Sequence, residues 1–295
     1  NASGDISVAA PVEATTGRVA VGVAQPSGAG GTVELNSTNG LVSVTDRIEV
    51  SSAASSPTPT PRPRSASGGN IRITSGRSGL APGPSPTPRT VAINIGNSSQ
   101  LLALLDAAST GPGGKITILA TGPHSDVNLN GRVEATKGVI DIRHEAEGGH
   151  VNIGGTVPSG NSATLAADVI KARALGANGR LNIGNSTISG DSLIRLYAPG
   201  SNGELNFVAN TVLNSGGRID LAATTVTIQP SVTVQVSGAG GPANVYTTNP
   251  NYNTGVPTDP GNTANGSFTG NGANPPAPLL SAPDFDAPPG IPASH

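Results

Sequence analysis

The densest set of side chains able to do chemistry lies between residues 132 and 150: Arg132, Glu134, Lys137, Asp141, Arg143, His144, Glu145, Glu147 and His150. Two His with acids between them invite comparison with a helical zinc site. That site needs its two His four apart on one helical face. Here they are six apart, with Gly148-Gly149 between them to break a helix, so a solvated outer face or loop is expected, without a metal.

Sugar-bond hydrolysis needs two carboxyls about 5–10 Å apart, and lyase chemistry on acidic glycans uses clustered acids, often with Ca²⁺, beside a basic group. The chain has no Asp-Asp pair and no close acidic cluster beside a strand end. Asp141 with Arg143, and Asp220 with Arg218, alternate at i, i+2 on one strand face, a spacing that predicts surface ion pairs. No G-x-S-x-G sits in a strand-turn-helix context. The expectation is therefore no catalytic residue, no cofactor and no enzyme, with a polysaccharide lyase or hydrolase as the enzymatic rival. Sugar binding through aromatics has little to work with, since the chain has three Tyr and three Phe. Tyr246 and Tyr252 flank the run TTNPN and could form a small platform; packing against the side of a larger body is expected instead. Sequons at Asn36, Asn97, Asn185 and Asn265 arise readily in a chain this rich in Asn, Ser and Thr.

The 295 residues include 41 Gly and 26 Pro, with only 2% aromatic and 12% charged residues. A compact globular core of this length normally has more large side chains and more surface charge. Small β-branched residues mixed with Gly, Asn, Ser and Thr suit stacked strands joined by tight turns. They also suit a disordered chain, so periodicity must decide. The net charge of −2 sets up no global field for nucleic acid or a membrane. Its distribution is uneven. Arg62, Arg64, Arg72, Arg77 and Arg89 face one acid, Asp106, within residues 53–112, whereas beyond Arg218 there are four Asp and no Lys or Arg. A basic middle and an acidic end attract each other, within or between molecules. Without Cys there are no disulfides or thiolate metal sites. No run of about 18 apolar residues could span a bilayer as a helix. The lack of any Met, even at position 1, suggests a processed form or a fragment of a longer precursor.

Periodicity favours strands. The phrase Gly-variable-apolar-variable-apolar recurs from Gly17 (GRVAV), Gly31 (GTVEL), Gly114 (GKITI), Gly138 (GVIDI), Gly149 (GHVNI), Gly179 (GRLNI), Gly203 (GELNF) and Gly217 (GRIDL). Each is a short period-2 strand opened by a turn residue. Further strands fit at Ile71–Ile73, Val91–Ile95, Thr225–Ile228 and Val232–Val236. Gly114 to Gly138, Gly179 to Gly203 and Gly217 to Gly241 share one and the same interval, and its length is that of a coil in a stack of repeats. The phrases from His150, Arg180 and Glu204 align, which would put Val151, Leu181 and Leu205 in one interior column. Asn152, Asn182 and Asn206 would then face the other way in a ladder of side-chain hydrogen bonds. Residues 164–178, LAADVI included, have helical character, but the surrounding β pattern favours two strands. Ser98 to Ala108 reads as a helix: Ser98 or Ser99 as cap, Leu101, Leu102, Leu104 and Leu105 as an apolar side, Gly111-Pro112 as stop. It would cover the open end of the apolar core.

Two stretches, SPTPTPRPR from Ser56 and GPSPTPR from Gly83, read as polyproline II spacers; Pro57–Arg64 would span roughly 25 Å at about 3.1 Å per residue. The expected organisation is residues 1–55 as an N-terminal β segment, 56–90 as spacers with one short strand, 91–241 as a β-solenoid with the helix near 98–108, and 242–295 as an extended Asn/Gly/Pro-rich tail.

The segment from about Gly114 to Gly238 resembles the β-helical repeats of filamentous-haemagglutinin-like bacterial surface proteins. GKITILA from Gly114, GRLNIG from Gly179 and GGRIDLAA from Gly216 carry the likeness. It covers less than half of the chain through a short, degenerate motif, and the Pro-rich spacers and the tail lie outside it. The resemblance implies an all-β, right-handed parallel β-helix, secretion to the extracellular or outer cell surface, and roles in adhesion or filament formation. It carries over no catalytic residue. The expected function is a structural subunit of an extracellular filament, sheath or adhesive fibre, with itself as partner. The rival is a monomeric adhesin fragment holding a surface glycan, matrix or host ligand. The residues expected to make the contacts are Arg62, Arg64, Arg89, Tyr246, Tyr252, Asp284, Phe285 and Asp286. Strands at Val19–Val23 and Val33–Leu35 are candidates for exchange with a neighbour.

Overall fold

The computed structural model describes residues 2–14, 30–52, 67–81, 89–105, 111–155, 161–207, 210–229, 232–237, 243–249, 267–269 and 277–278. Its strands, in chain order, fall into turns of a coil. The first three turns are β1 (Ile6–Val8), β2 (Val12–Glu13), β3 (Thr32–Ser37); β4 (Val42–Val44), β5 (Arg47–Ser51), β6 (Asn70–Ser75); and β7 (Thr90–Ile95), β8 (Gln100–Leu104), β9 (Lys115–Ala120). Four turns follow: β10 (Ser125–Leu129) with β11 (Arg132–His144), β12 (His150–Ile153) with β13 (Ala163–Ala174), β14 (Arg180–Ile183) with β15 (Ser186–Ala198), and β16 (Glu204–Phe207), β17 (Thr211–Ser215) and the first half of β18 (Arg218–Ile228). The second half of β18, β19 (Val232–Val236) and β20 (Ala243–Asn249) make the next, and β21 (Ser267–Thr269) and β22 (Ala277–Pro278) extend two faces further.

Every pairing is parallel, and each strand pairs with its counterpart one turn away. The result is one all-β sheet wound as a solenoid with three faces. The strands β11, β13 and β15 each run over two faces, and the register shifts at the bend, between Ala135 and Val139 in β11 and between Ala167 and Val169 in β13. The strand reading of residues 164–174 therefore holds, as one bent strand.

Inward side chains stack into columns because the register repeats. On the third face Ile71, Ile116, Ile140, Ile170, Ile194 and Ile219 lie one above another, all at 1% exposure or less. On the first face Val127, Val151, Leu181, Leu205 and Val226 form the expected column. Period-2 alternation places these residues inside and their neighbours outside, so a slip of one residue would exchange the two sets. The turns differ in length. Val42, Ile93, Val127, Val151, Leu181, Leu205 and Val226 occupy equivalent places at unequal intervals, the longest from Val42 to Ile93 and the shortest from Leu205 to Val226. Both Pro-rich stretches lie outside the described residues apart from Arg89, but their flanks sit on neighbouring faces, and Gly30 and Gly68 donate across the corner to Ser67 and Pro112 of the turn beyond. Strand pairing also continues past residue 241, through β20 to β22.

The helix expected over Ser98–Ala108 is a strand instead. Gln100–Leu104 pairs with β5 on one side and β11 on the other, so it lies inside the stack and caps nothing. Leu101 and Ala103 point into the core, and Leu102 and Leu105 are buried as well. The local leucine pattern satisfies both periods, and two flanking ladders decide between them. Ser99 does not cap a helix; its hydroxyl donates to the carbonyls of Gly96 and Val44. Residues 106–110 lie outside the described set, as does GRVAV from Gly17.

Candidate functional site

Polar side chains also stack, and the most regular set is on the first face. Asn152 Nδ2 donates to Asn128 Oδ1 (2.9 Å), Asn182 to Asn152 (2.8 Å) and Asn206 to Asn182 (3.1 Å). Asn206 also donates to Glu204. The three Asn read from the repeat are therefore a ladder. Asn128 is a fourth member, which its spacing from Asn152, equal to that of Asn182 from Asn206, could have revealed. An amide carries both donor and acceptor, so identical residues can link indefinitely only while the turns stay in register. A second run of stacked polar turns marks the corner leading to this face. His124, Gly148, Asn178 and Asn202 all have positive φ, between 54° and 62°. The backbone N–H of the first three donates to Glu147, Ala177 and Ser201 of the next turn. Gly, Asn and His at these places follow from the left-handed conformation.

Of the charged cluster between residues 132 and 150, Arg132, Lys137, Glu145 and Glu147 are exposed as expected, but its two His are not. His144 is fully buried at the end of β11, among the interior corner residues Ala120 and Ala174. Its Nε2 lies 2.9 Å from Ser125 Oγ, and that hydroxyl donates to Gly122 O at 2.7 Å, which makes the imidazole the donor to Ser125. Its Nδ1 makes no aligned hydrogen bond, although the Ala146 backbone lies close enough to favour the charged ring somewhat. A Cβ at Gly149 would come within 1.8 Å of this Nδ1, so only glycine fits there. Arg89, expected as a contact residue, reaches back into the same corner: Nε meets Asp126 Oδ1 at 2.5 Å and Nη2 meets the carbonyls of Gly148 (2.5 Å) and Ser125 (3.4 Å). His150 Nδ1 lies 3.7 Å from the same Asp126 oxygen. Burial, aided by Arg89, lowers the pKa of His144 to about 4; burial, then Arg89 and Arg180, lower that of His150 to about 3. Burial raises that of Asp126 against the pull of Arg89. The sequence missed this cluster because its parts lie on three consecutive turns.

The two expected i, i+2 ion pairs are present, but Asp220 is buried and not at the surface, and each pair gains a partner from the adjacent turn. Asp141 takes Arg143 Nε (3.3 Å) and Arg173 Nη2 (2.9 Å); Asp220 takes Arg218 Nε (2.6 Å) and Arg195 Nε (3.2 Å). A Ser-His contact that is fully buried and carboxylates held by two guanidiniums are arrangements that fix neighbouring turns together. Among the described residues no three His, Cys, Asp or Glu converge as a metal set, and no helix is long and apolar enough to cross a membrane. Tyr246 belongs to β20, opposite Ala222 and Ala277. Arg62, Arg64, Tyr252, Asp284, Phe285 and Asp286 lie outside the described residues. No protein-family model, curated protein or solved structure matches the chain.

Two outcomes follow. Asn182→Ala breaks two ladder bonds and Asn128→Ala breaks one, so at about 1 kcal/mol per net hydrogen bond the denaturant midpoint should fall roughly twice as far for Asn182; equal losses would contradict the ladder. The His pair sets an acid dependence. The unfolded chain binds protons at His below about pH 6.5, and the folded chain does so only near pH 3–4. Stability is therefore full above pH 6.5 and falls as pH drops below it, by up to about 1.4 kcal/mol per pH unit for each His. Asp126, raised by burial, slopes the other way from the carboxylate range upward, so the His part is read from a His variant. Equilibrium unfolding at pH 5.5 and 7.5 should differ less in His144→Gln than in the parent chain.

Proposed function

We propose that this chain is a structural subunit of an extracellular or cell-surface filament, sheath or adhesive fibre, and that it joins its neighbours end to end through strand edges. The observation that carries the reading is the state of the first turn. Among the described residues β1 and β2 pair on one side only, with β4 and β5, and β3 pairs along its length with β6 while its other side meets only the single bridge from Ala2 to Ser37. Of their inward residues Val8 is buried, but Ile6, Val12, Val33 and Leu35 are only partly buried, whereas Val42, Ile48, Ile71 and Ile73 one turn later are at 1% or less. An edge with open backbone groups and a half-covered apolar interior accepts a further coil. Joining one end to the other is a heterologous contact that propagates instead of closing.

The coil is proposed to wind right-handed, because parallel crossovers in one sheet do so almost without exception. That hand, the repeated Gly-x-apolar-x-apolar phrase and the resemblance to filamentous-haemagglutinin-like repeats support a secreted bacterial surface protein. The described chemistry supports a role without catalysis: its His, Asp and Arg groups bind one turn to the next.

Negative-stain electron microscopy of the purified chain tests the proposal. Regular filaments are expected, and Val33→Lys with Leu35→Lys, which places two ammonium groups on the open edge, should leave short single rods with an unchanged β signal in circular dichroism. Isolated rods for the parent chain at high concentration would overturn the proposal and favour the monomeric adhesin.

A further inference from the structure

Outside the buried corner, the outward side chains of the three faces differ in charge. Over the turns from β13 to β19 the third face carries Lys171, Arg195 and Asp220, and the first carries Arg180 and Glu204. On the second face the ladders stack Thr164, Thr187, Val212 and Thr233 in one outward column and Ala166, Ser189, Asn214 and Gln235 in the column beside it. These four rungs have no ionisable group on the face itself; Asp168 and Asp191 stand at its corner with the third face. Earlier rungs of the same face do carry charge, as the pairs Arg47–Glu49 and Arg132–Glu134.

The patch is open. Thr164, Thr187, Val212, Asn214 and Gln235 are exposed, and Val212, at 39%, is one of two large apolar side chains among the described residues to be so. The patch is also regular. Three Thr and a Val share one branched shape and a stiff χ1, so the column forms a straight ridge with a step of about 4.8 Å. A surface of this kind fits a copy of itself. A two-fold contact lays the same patch on both partners, which would bring like charges together on a charged face and brings none together here. Identical columns with one step interdigitate at every rung. Area sets the order of events. The four rungs, with five residues on each, cover roughly 19 by 16 Å, or about 300 Å², against about 800 Å² per partner in a stable interface. One patch is too small to hold two free copies together; a row of patches on end-joined copies is held by all of them at once.

We infer that the second face from β13 to β19 is where filaments of this chain lie side by side, patch on patch, so that end-joined copies gather into a bundle or sheath. The inference rests on the end-to-end joining proposed above and adds the lateral contact to it. That contact is made by shape and by apolar burial, without ion pairs, so salt leaves it in place.

Low-speed pelleting, read together with negative-stain electron microscopy, tests the inference on the full chain. Bundles of filaments are expected at low and at high salt. Thr187→Lys with Val212→Lys puts two ammonium groups at the centre of the patch. Single filaments of unchanged length are then expected, with the pelleted fraction down about tenfold because like charges meet across the contact, and with circular dichroism unchanged. Val212→Thr, which keeps the branch and adds no charge, should bundle like the parent chain. Parent filaments that stay single would overturn the inference and leave end joining intact. Bundles that persist in the double Lys variant, or that salt disperses, would overturn it as well, since they would assign the contact to the charged faces. A parent chain that forms no filaments would overturn the end-joining reading and this inference together.

Discussion

The structure depends on one constraint, the in-register parallel ladder that each turn of chain forms with the turns before and after it. The ladder satisfies the backbone groups of a chain that has few large side chains to bury. It also converts a weak sequence repeat into columns. Six isoleucines stacked on the third face pack as one continuous wall, because each ring of contacts is repeated at the rise of one strand. The same rise brings Asn over Asn at hydrogen-bonding distance. Where the sequence varies between turns, the ladder still enforces proximity, so Arg173 meets Asp141 and Arg195 meets Asp220 across rungs although the partners of each pair are far apart in the chain.

This constraint explains the irregular turn lengths. A coil need only return to the same three faces in the same register; what happens at a corner is unconstrained as long as the flanking strands pair. Extra chain between strands therefore leaves the pairing on the faces intact, and the turn from Val42 to Ile93 takes more than twice the chain of the turn from Leu205 to Val226. Corners without inserts are closed by residues that tolerate positive φ, and there the space left is so small that the His144 ring fills what a side chain at Gly149 would need.

Much of this was legible in the sequence. The Gly-x-apolar-x-apolar phrase located most strands, and aligned phrases revealed Asn152, Asn182 and Asn206 as outward and Val151, Leu181 and Leu205 as inward. What was not legible is what depends on neighbours. Gln100–Leu104 has a leucine pattern that suits a helix locally, and only the strands on both sides make it a strand. His144 and His150 looked like surface groups because Arg89 and Ser125, which hold that corner together, come from other turns. The two halves of the charged chemistry differ for the same reason: i, i+2 partners such as Arg143 and Asp141 are visible in sequence, whereas cross-turn partners require the register first.

Register is therefore the central claim, and a chain without cysteine allows it to be tested directly. Thr164, Thr187 and Val212 are exposed, outward and on consecutive rungs. Adjacent rungs lie about 4.8 Å apart, within the span a disulfide bridges, and rungs two apart lie about 9.6 Å apart, outside it. Oxidation of the double variant Thr164→Cys, Thr187→Cys should give an intramolecular disulfide in high yield, and Thr164→Cys, Val212→Cys should give none. Efficient bridging of the second pair, or failure of the first in a folded chain, would contradict the stacked, in-register solenoid.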